Sequence, residues 1–527
     1  MAEVFRYEVI PPSSWAYLSS ILMLSLFFKF GRFLSVRNLD LCLLTLLTPG
    51  LLIVQFGNDH RQEIEPEIRN LTRLLPDETV ALNQKQASQF PVEEDESLQG
   101  AVGSSQNGSV PPTPTGIDDS QVKTGERRSE VVDGVAVNMV KQKILGLNTK
   151  VQEYQKLQFY GYVWLFVIGF ALLIRMVLDP YMIRRPLLEP NLEFSGLTFL
   201  TIILLVFLIA NIVTASVARD DIIAAESGKE LATAKATSQG ATHGPGYRLL
   251  FLIPVIPTFV AENNFKGSND LAAPSEEDEA ERNTNISLGV IAKIMAILGQ
   301  LLIVVGIYLI GYLHFSNTRM GIGIVTLYLI MPYTAEMTGR IIHILPAAAL
   351  VWAVVCYRRP GLAGIFIGLA MGLAYYPLFL LPLWFSFYWH RGVRGFLIGF
   401  VVMLAALALT LVFTSATPAH YFENLQAMFG AWTPIMENLN GIWEKGSLDA
   451  SFRIPIIAAF ICMSLSFAVW PAQKNLGTLL SCSAALMIAV QFWHGFDGGL
   501  LMAWYLPLAL LAMFRPNLED RTAVSLS

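Results

Sequence analysis

Apolar residues run in blocks, and a block of about 20 of them crosses a bilayer as one helix. The blocks are Trp15–Phe28, Leu39–Phe56, Phe159–Leu178, Leu197–Val217, Leu288–Leu313 and Ile322–Ala335, then Ile341–Cys356, Leu362–Tyr375, Pro377–Trp389, Phe396–Thr414, Ile454–Val469, Leu476–Gln491 and Leu500–Phe514. The pattern predicts an all-α polytopic integral membrane protein of roughly thirteen transmembrane helices. Gly361–Trp389 is too long for one span, and Pro377 interrupts it, so two short helices in a hairpin are expected there.

Polar residues between the blocks give an orientation. Short loops retain Lys and Arg on the cytoplasmic side. Lys29–Arg37, Arg175–Arg185, His314–Arg319, Arg358–Arg359, Arg391–Arg394, Lys474 and the tail with Arg515 and Arg521 are basic. The alternate connections, around Glu336, Ala416–Asp449 and Trp493–Gly498, are acidic or carry histidine. This alternation places the N-terminus outside, the C-terminus in the cytoplasm and both long polar insertions outside. The expected organisation is two spans (1–57), a polar insertion (58–156), two spans (157–217), an acidic insertion with an interfacial segment (218–286), a transmembrane core (287–514) and a cytoplasmic tail (515–527). Residues 84–128 are rich in Ser, Gly, Pro, Gln and acids, and read as disordered; Phe265–Asn285 reads similarly. Val140, Ile144, Leu147, Val151 and Tyr154 recur at helical spacing, which predicts an amphipathic helix running into the third span. Tyr247–Val260, with Pro254 and Pro257, reads as interfacial or re-entrant.

Composition changes the picture in one respect. Apolar residues make up 54% and charged residues 15%, against ~45–50% and ~25% in soluble domains. The stretches Asn58–Lys156 and Ser216–Ile286 hold 27 and 17 of the charges and are net acidic, which leaves the membrane body net basic despite an overall charge of −5. An ordinary soluble enzyme is excluded, and no basic stripe interleaved with aromatics suggests nucleic-acid binding. Cys42, Cys356, Cys462 and Cys482 sit in apolar runs without CxxC pairing and read as small hydrophobes. The N-terminus lacks a basic n-region and reads as an uncleaved first span.

Candidate chemistry gathers at the outer face. Glu336, Arg340 and His343 are spaced to share one side of a helix beginning after Thr334, where they would bind an anionic head group and handle a proton. An internal Glu336–Arg340 pair is the plainer alternative. His494 and Asp497 lie in the turn Trp493–Gly499, which also suits simple turn geometry. The loop Ala416–Arg453 holds His420, Glu423, Trp432, Glu437, Trp443 and Glu444, aromatic residues suited to sugar stacking or to an interface belt. Asp59 and His60 directly follow the second span, a place for a general base or a solvated helix end. No nucleotide-binding glycine loop, zincin motif or serine-nucleophile elbow is present.

The segment Thr338–Arg394 carries Thr-Gly-Arg-Ile-Ile-His-Ile-Leu-Pro, Val-Trp-Ala-Val-Val-Cys-Tyr-Arg-Arg-Pro, Ala-Gly-Ile-Phe-Ile-Gly-Leu-Ala and Tyr-Tyr-Pro-Leu-Phe-Leu-Leu-Pro-Leu-Trp. It resembles the central block of GT-C membrane glycosyltransferases, in particular bacterial polyprenyl-phosphate-mannose-dependent mannosyltransferases, with Tyr375 and Tyr376 where that family usually has a lysine before the proline. The resemblance implies a GT-C-like fold in a bacterial cytoplasmic membrane and a polyprenyl-phosphate-linked sugar as donor. It further implies inverting transfer on the outer face, with no cofactor and no metal. It implies a catalytic carboxylate in an early external loop, which Asp59 best matches by position, and a cation such as Arg340 at the departing phosphate. Joined to the outer-face residues above, the expected site has Asp59 and Glu336 as catalytic carboxylates, Arg340, His343 and Tyr375 around the donor phosphate, and His494, Asp497 and Trp443 toward acceptor and sugar. A transporter or flippase and a non-catalytic membrane scaffold are the other readings; mid-membrane polar residues, which are few, would mark the former.

Overall fold

The computed structural model describes residues 12–73, 123–182, 188–233, 244–254, 276–415, 417–419, 421–422, 425, 436, 439–445, 447–518 and 522. Among the described residues there is no β-strand. The principal helices are α1 (Pro12–Phe27), α2 (Val36–Arg73), α3 (Lys123–Leu178), α4 (Phe194–Thr214) and α5 (Arg219–Thr233). They continue with α6 (residues 245–254), α7 (Glu276–Leu309), α8 (Thr318–Ile330), α9 (Pro332–Glu336), α10 (Ile341–Val355) and α11 (Pro360–Leu373). The last are α12 (Leu381–Tyr388), α13 (Val393–Thr414), α14 (Arg453–Val469), α15 (Leu476–Val490) and α16 (Leu506–Met513). Among the described residues, six segments are long and apolar enough to cross a membrane: Val36–Arg73, Val137–Tyr181, Phe194–Thr214, Leu288–His314, Val393–Phe413 and Ala450–Val469. The chain is thus all-helical among the described residues, with the composition of a membrane-embedded, multi-pass protein.

The chain forms two compact units, Met1–Val54 with Phe159–Ser527, and Gln55–Gln158. In the larger, burial sorts the helices. Every residue of α15 and α16 is buried, as are most residues of α8, α10 and α11. At 13–15 residues, α8, α10, α11 and α15 reach only ~20 Å and are enclosed by protein. The longer α4, α13 and α14 turn apolar side chains outward, among them Phe199, Ile398 and Val469, the last 81% exposed. Apolar outside with polar groups gathered within protein is the arrangement a lipid solvent imposes.

Small residues bring the inner helices together. A Cβ at Gly364 would collide with the Phe396 carbonyl, and one at Gly399 with the Gly361 carbonyl, so α11 and α13 touch backbone to backbone. Between these two helices the chain breaks at Ala374–Tyr375, and Tyr376–Leu380 is a 3-10 turn that continues into α12. Gly392, at the start of α13, returns against Pro360, at the start of α11. The hairpin expected around Pro377 is therefore present, with its break two residues before the proline.

Polar groups of the larger unit occupy two levels. At one, Arg175 donates to both oxygens of Asp40, at 2.8 and 3.0 Å, and to Asp179 at 3.2 Å, while Arg515 donates to the other Asp179 oxygen at 2.7 Å. Asp40, Asp179 and Arg515 are buried, so two carboxylates and two guanidiniums neutralise one another away from water. The other level begins at Tyr162. It lies thirteen residues before Arg175 on the same helix, about 20 Å along its axis.

The smaller unit pairs residues 55–73 of α2 with α3 up to Gln158. Arg61 donates to Gln158 Oε1 at 2.8 Å, Lys143 pairs with Glu67 at 2.8 Å, and the rings of Phe56, His60 and Tyr154 cluster.

Several expectations need correction. Glu336, Arg340 and His343 do not share one helix: α9 ends at Glu336, Arg340 is extended (φ −86°, ψ 105°), and α10 starts at Ile341. The cause is nonlocal, because the Asp221 carboxylate accepts the Ile341 N–H at 3.0 Å and supplies the helix start from another element. The second span does not stop at Phe56, so Asp59 lies inside a helix that runs to Arg73. Of the stretch 84–128 expected to be disordered, 84–122 lies outside the described residues, whereas 123–128 already belongs to α3. Residues 276–285, also expected to be disordered, open α7.

Candidate functional site at the Arg340 face

Four pieces of chain meet where α10 begins. α5 brings Asp220 and Asp221. The α9–α10 junction brings Tyr333, Glu336, Arg340 and His343. The segment after α15 brings His494 and Asp497, and the start of the larger unit's share of α3 brings Tyr162.

The turn after α15 is built by one side chain. Gln491 accepts the N–H groups of Gly499 and Leu501 at 3.0 and 3.2 Å, which closes the loop onto its own helix. Inside this loop Asp497 takes a left-handed conformation (φ 50°), and Gly499 follows at φ 98°. The strain at a non-glycine residue fixes where the Asp497 carboxylate sits. Its Oδ1 accepts the Tyr162 hydroxyl at 3.1 Å. Asp497 is exposed to water yet surrounded by enough protein for burial to raise its pKa, an effect the Tyr162 hydrogen bond and the Arg340 charge partly offset.

His494 lies deeper. Its Nδ1 accepts the Phe496 N–H at 3.1 Å, so the ring proton is on Nε2. Its ring sits 4.8 Å from Tyr376 and 5.8 Å from Trp504. Burial lowers its pKa to about 4, and the ring is neutral at physiological pH. His343 is likewise engaged, with Tyr333 Oη 2.8 Å from its Nδ1 and the Leu500 carbonyl in hydrogen-bond reach. Trp504 Nε1 donates to the Ile342 carbonyl at 3.2 Å and ties the same turn to α10.

Arg340 is exposed at the junction, and its charge acts on Asp221, Asp497 and His343. Asp221 is buried, and burial raises its pKa to about 6 although the Ile341 N–H and Arg340 oppose the rise. Alongside runs an aromatic wall. The Tyr375 and Tyr376 rings lie tilted against each other with centroids 3.9 Å apart, Tyr376 meets Trp493 and Trp504 at 5.2 and 5.4 Å, and Arg453 donates to the Trp493 carbonyl at 3.0 Å.

Of the residues singled out from sequence, Arg340, His343, His494 and Asp497 therefore share one neighbourhood. Tyr375 joins it through Tyr376. Trp443 is buried in a short 3-10 turn whose Gly441 packs on Asp497 and Tyr162. Glu336 is half-buried at the end of α9. Asp59 belongs to the smaller unit and is exposed there. His420, Glu423, Trp432 and Glu437 lie outside the described residues. Sequence reasoning missed Asp221, Tyr162, Tyr333 and Arg453, and noted Tyr376 only as Tyr375's neighbour before the proline. Only Asp221 left a visible sign, an acidic pair directly after an apolar block. Among the described residues no group of three or more His, Cys, Asp and Glu is placed to hold a metal. No family model, curated protein or solved structure matches the chain.

Proposed function

We propose that the chain is an integral membrane glycosyltransferase of GT-C type, which moves a sugar from a polyprenyl-phosphate donor to an acceptor hydroxyl at the Arg340 face. The observation that carries this reading is an accessible carboxylate, Asp497, beside an accessible guanidinium, Arg340, against a wall of tyrosine and tryptophan. Glycosyl transfer needs such an arrangement: a base for the acceptor, a cation for the leaving phosphate and apolar faces for the sugar ring. Asp497, held by Tyr162, takes the acceptor proton. The acceptor oxygen bonds to the anomeric carbon from the opposite side as the bond to phosphate breaks, and the electron pair departs on polyprenyl phosphate, whose charge Arg340 offsets. Asp221 fixes the Arg340 backbone through the start of α10 and acts as a positioning residue. The base role moves from Asp59 to Asp497 because Asp497 shares its surroundings with Arg340.

The wider reading is a thirteen-span protein of a bacterial cytoplasmic membrane, with the Arg340 face and the N-terminus outside and the C-terminus inside. It is supported by the short basic loops, which sit at the helix ends opposite Arg340. The test is transfer by the full chain in nanodiscs, read as polyprenyl phosphate released from a polyprenyl-phosphate-mannose donor. Asp497→Ala and Arg340→Ala are expected to lower the rate at least about 100-fold, with Asp59→Ala near wild type. A rate insensitive to both changes would overturn the site. Loss in Asp59→Ala alone would return the base role to Asp59.

A further inference from the structure

The face opposite Arg340 carries a concentration of positive charge that the transfer reaction does not use. Arg358 and Arg359 precede α11, and His390, Arg391 and Arg394 lie where α12 passes into α13; all five are exposed. The two loops are held side by side. The Tyr388 hydroxyl donates to the Tyr357 carbonyl at 2.6 Å, and Gly392, at φ 102°, packs on Pro360. Backbone contact between Gly361 and Gly399 fixes the same approach of α11 and α13. Arg358 is partly ordered by its neighbour, its Nε donating to the Tyr357 hydroxyl at 3.2 Å. The two loops that carry four guanidiniums are thus brought together by packing, while the sequence offers no counter-charge nearby. No aspartate or glutamate occurs between Glu336 and Glu423, and none of the four arginines has an ion-pair partner among the described residues. Clustered like charge is unfavourable unless an anion is shared.

We propose that the loops 356–360 and 388–394 bind the phosphate of an anionic membrane phospholipid. A lipid rather than a soluble anion is indicated by the rim on which the arginines sit. Trp389, 64% exposed, stands beside His390 at the end of α12, and exposed tryptophan at the end of an apolar helix is the residue that favours a membrane interface. Leu362 and Ile398, one turn into α11 and α13, begin an exposed apolar surface that continues with Val401 and Val402. Guanidiniums thus meet the headgroup and the helix flanks meet the acyl chains. The uncapped starts of α11 and α13 add backbone N–H groups on the same side. This site is independent of the glycosyltransferase reading.

The experiment is native mass spectrometry of the full chain released from detergent after exposure to equimolar phosphatidylglycerol and phosphatidylcholine. Wild type is expected to retain phosphatidylglycerol about tenfold over phosphatidylcholine. The variant R358Q/R359Q/R391Q/R394Q should bring that ratio to about one, while the matching four-lysine variant, with charge and exposure preserved, keeps most of the preference. An unchanged ratio in the glutamine variant overturns the proposal. So does loss of the preference when inorganic phosphate is added at millimolar concentration, which would assign the cluster to a soluble anion.

Discussion

Asp221 shows how a single side chain acts twice. Its carboxylate starts α10 by accepting the Ile341 N–H, and burial holds its pKa near 6 against an ordinary 3.8. A raised acid contributes stability that is present below pH 3.8 and lost as pH climbs through 6. Asp221→Asn keeps an acceptor for Ile341 and removes the buried charge. The variant should therefore melt higher than wild type at pH 7–8, by on the order of 1–3 kcal/mol, with the gain disappearing near pH 4. His494 works in the opposite sense: its pKa is lowered from 6.5 to about 4, so its contribution is lost as pH falls through that window. Melting curves of wild type and Asp221→Asn from pH 4 to pH 8 separate the two, because the histidine term cancels in their difference. A difference that stays flat across this range would remove Asp221 as a titrating group.

Glycine sets the closest approach between α11 and α13. Gly399 and Gly146 both lie inside helices, yet a methyl at Gly399 collides with the Gly361 carbonyl, whereas one at Gly146 meets nothing within 4 Å. Alanine normally favours a helix over glycine by about 0.5–1 kcal/mol. Gly146→Ala should accordingly leave thermal stability unchanged or slightly higher, and Gly399→Ala should lower it by about 1–3 kcal/mol; equal effects would contradict the close approach of α11 and α13. Apolar blocks announced these helices, but not their partners. The break between α9 and α10 was illegible for the same reason, since periodicity reports a chain's own faces and the residue that ends the periodicity, Asp221, is supplied from 120 positions away. Pro377, by contrast, acts on its own backbone, and its effect was readable.

At the scale of the larger unit, the described polar residues fall into two levels separated by short buried helices, one closed and one open. The closed level is the Asp40–Arg175–Asp179–Arg515 chain, whose charges satisfy one another. The open level is the Arg340 face, where charge meets water. Under the proposed orientation, in a chain whose four native cysteines are replaced by serine, Gly100→Cys should react with a membrane-impermeant maleimide in intact cells. Arg32→Cys should react only after permeabilisation, and the reverse pattern would invert the topology. The membrane character, the places of the apolar segments and the segregation of basic loops were determined by sequence, because burial in lipid is a property of each segment against its solvent and needs no partner. Which polar residues meet was decided only by tertiary structure. Asp221 with Ile341, Tyr162 with Asp497, and Tyr357 with Tyr388 are encounters between segments far apart in the chain, and hydrogen bonds and close backbone contacts of that kind depend on positions in space, not on positions in sequence.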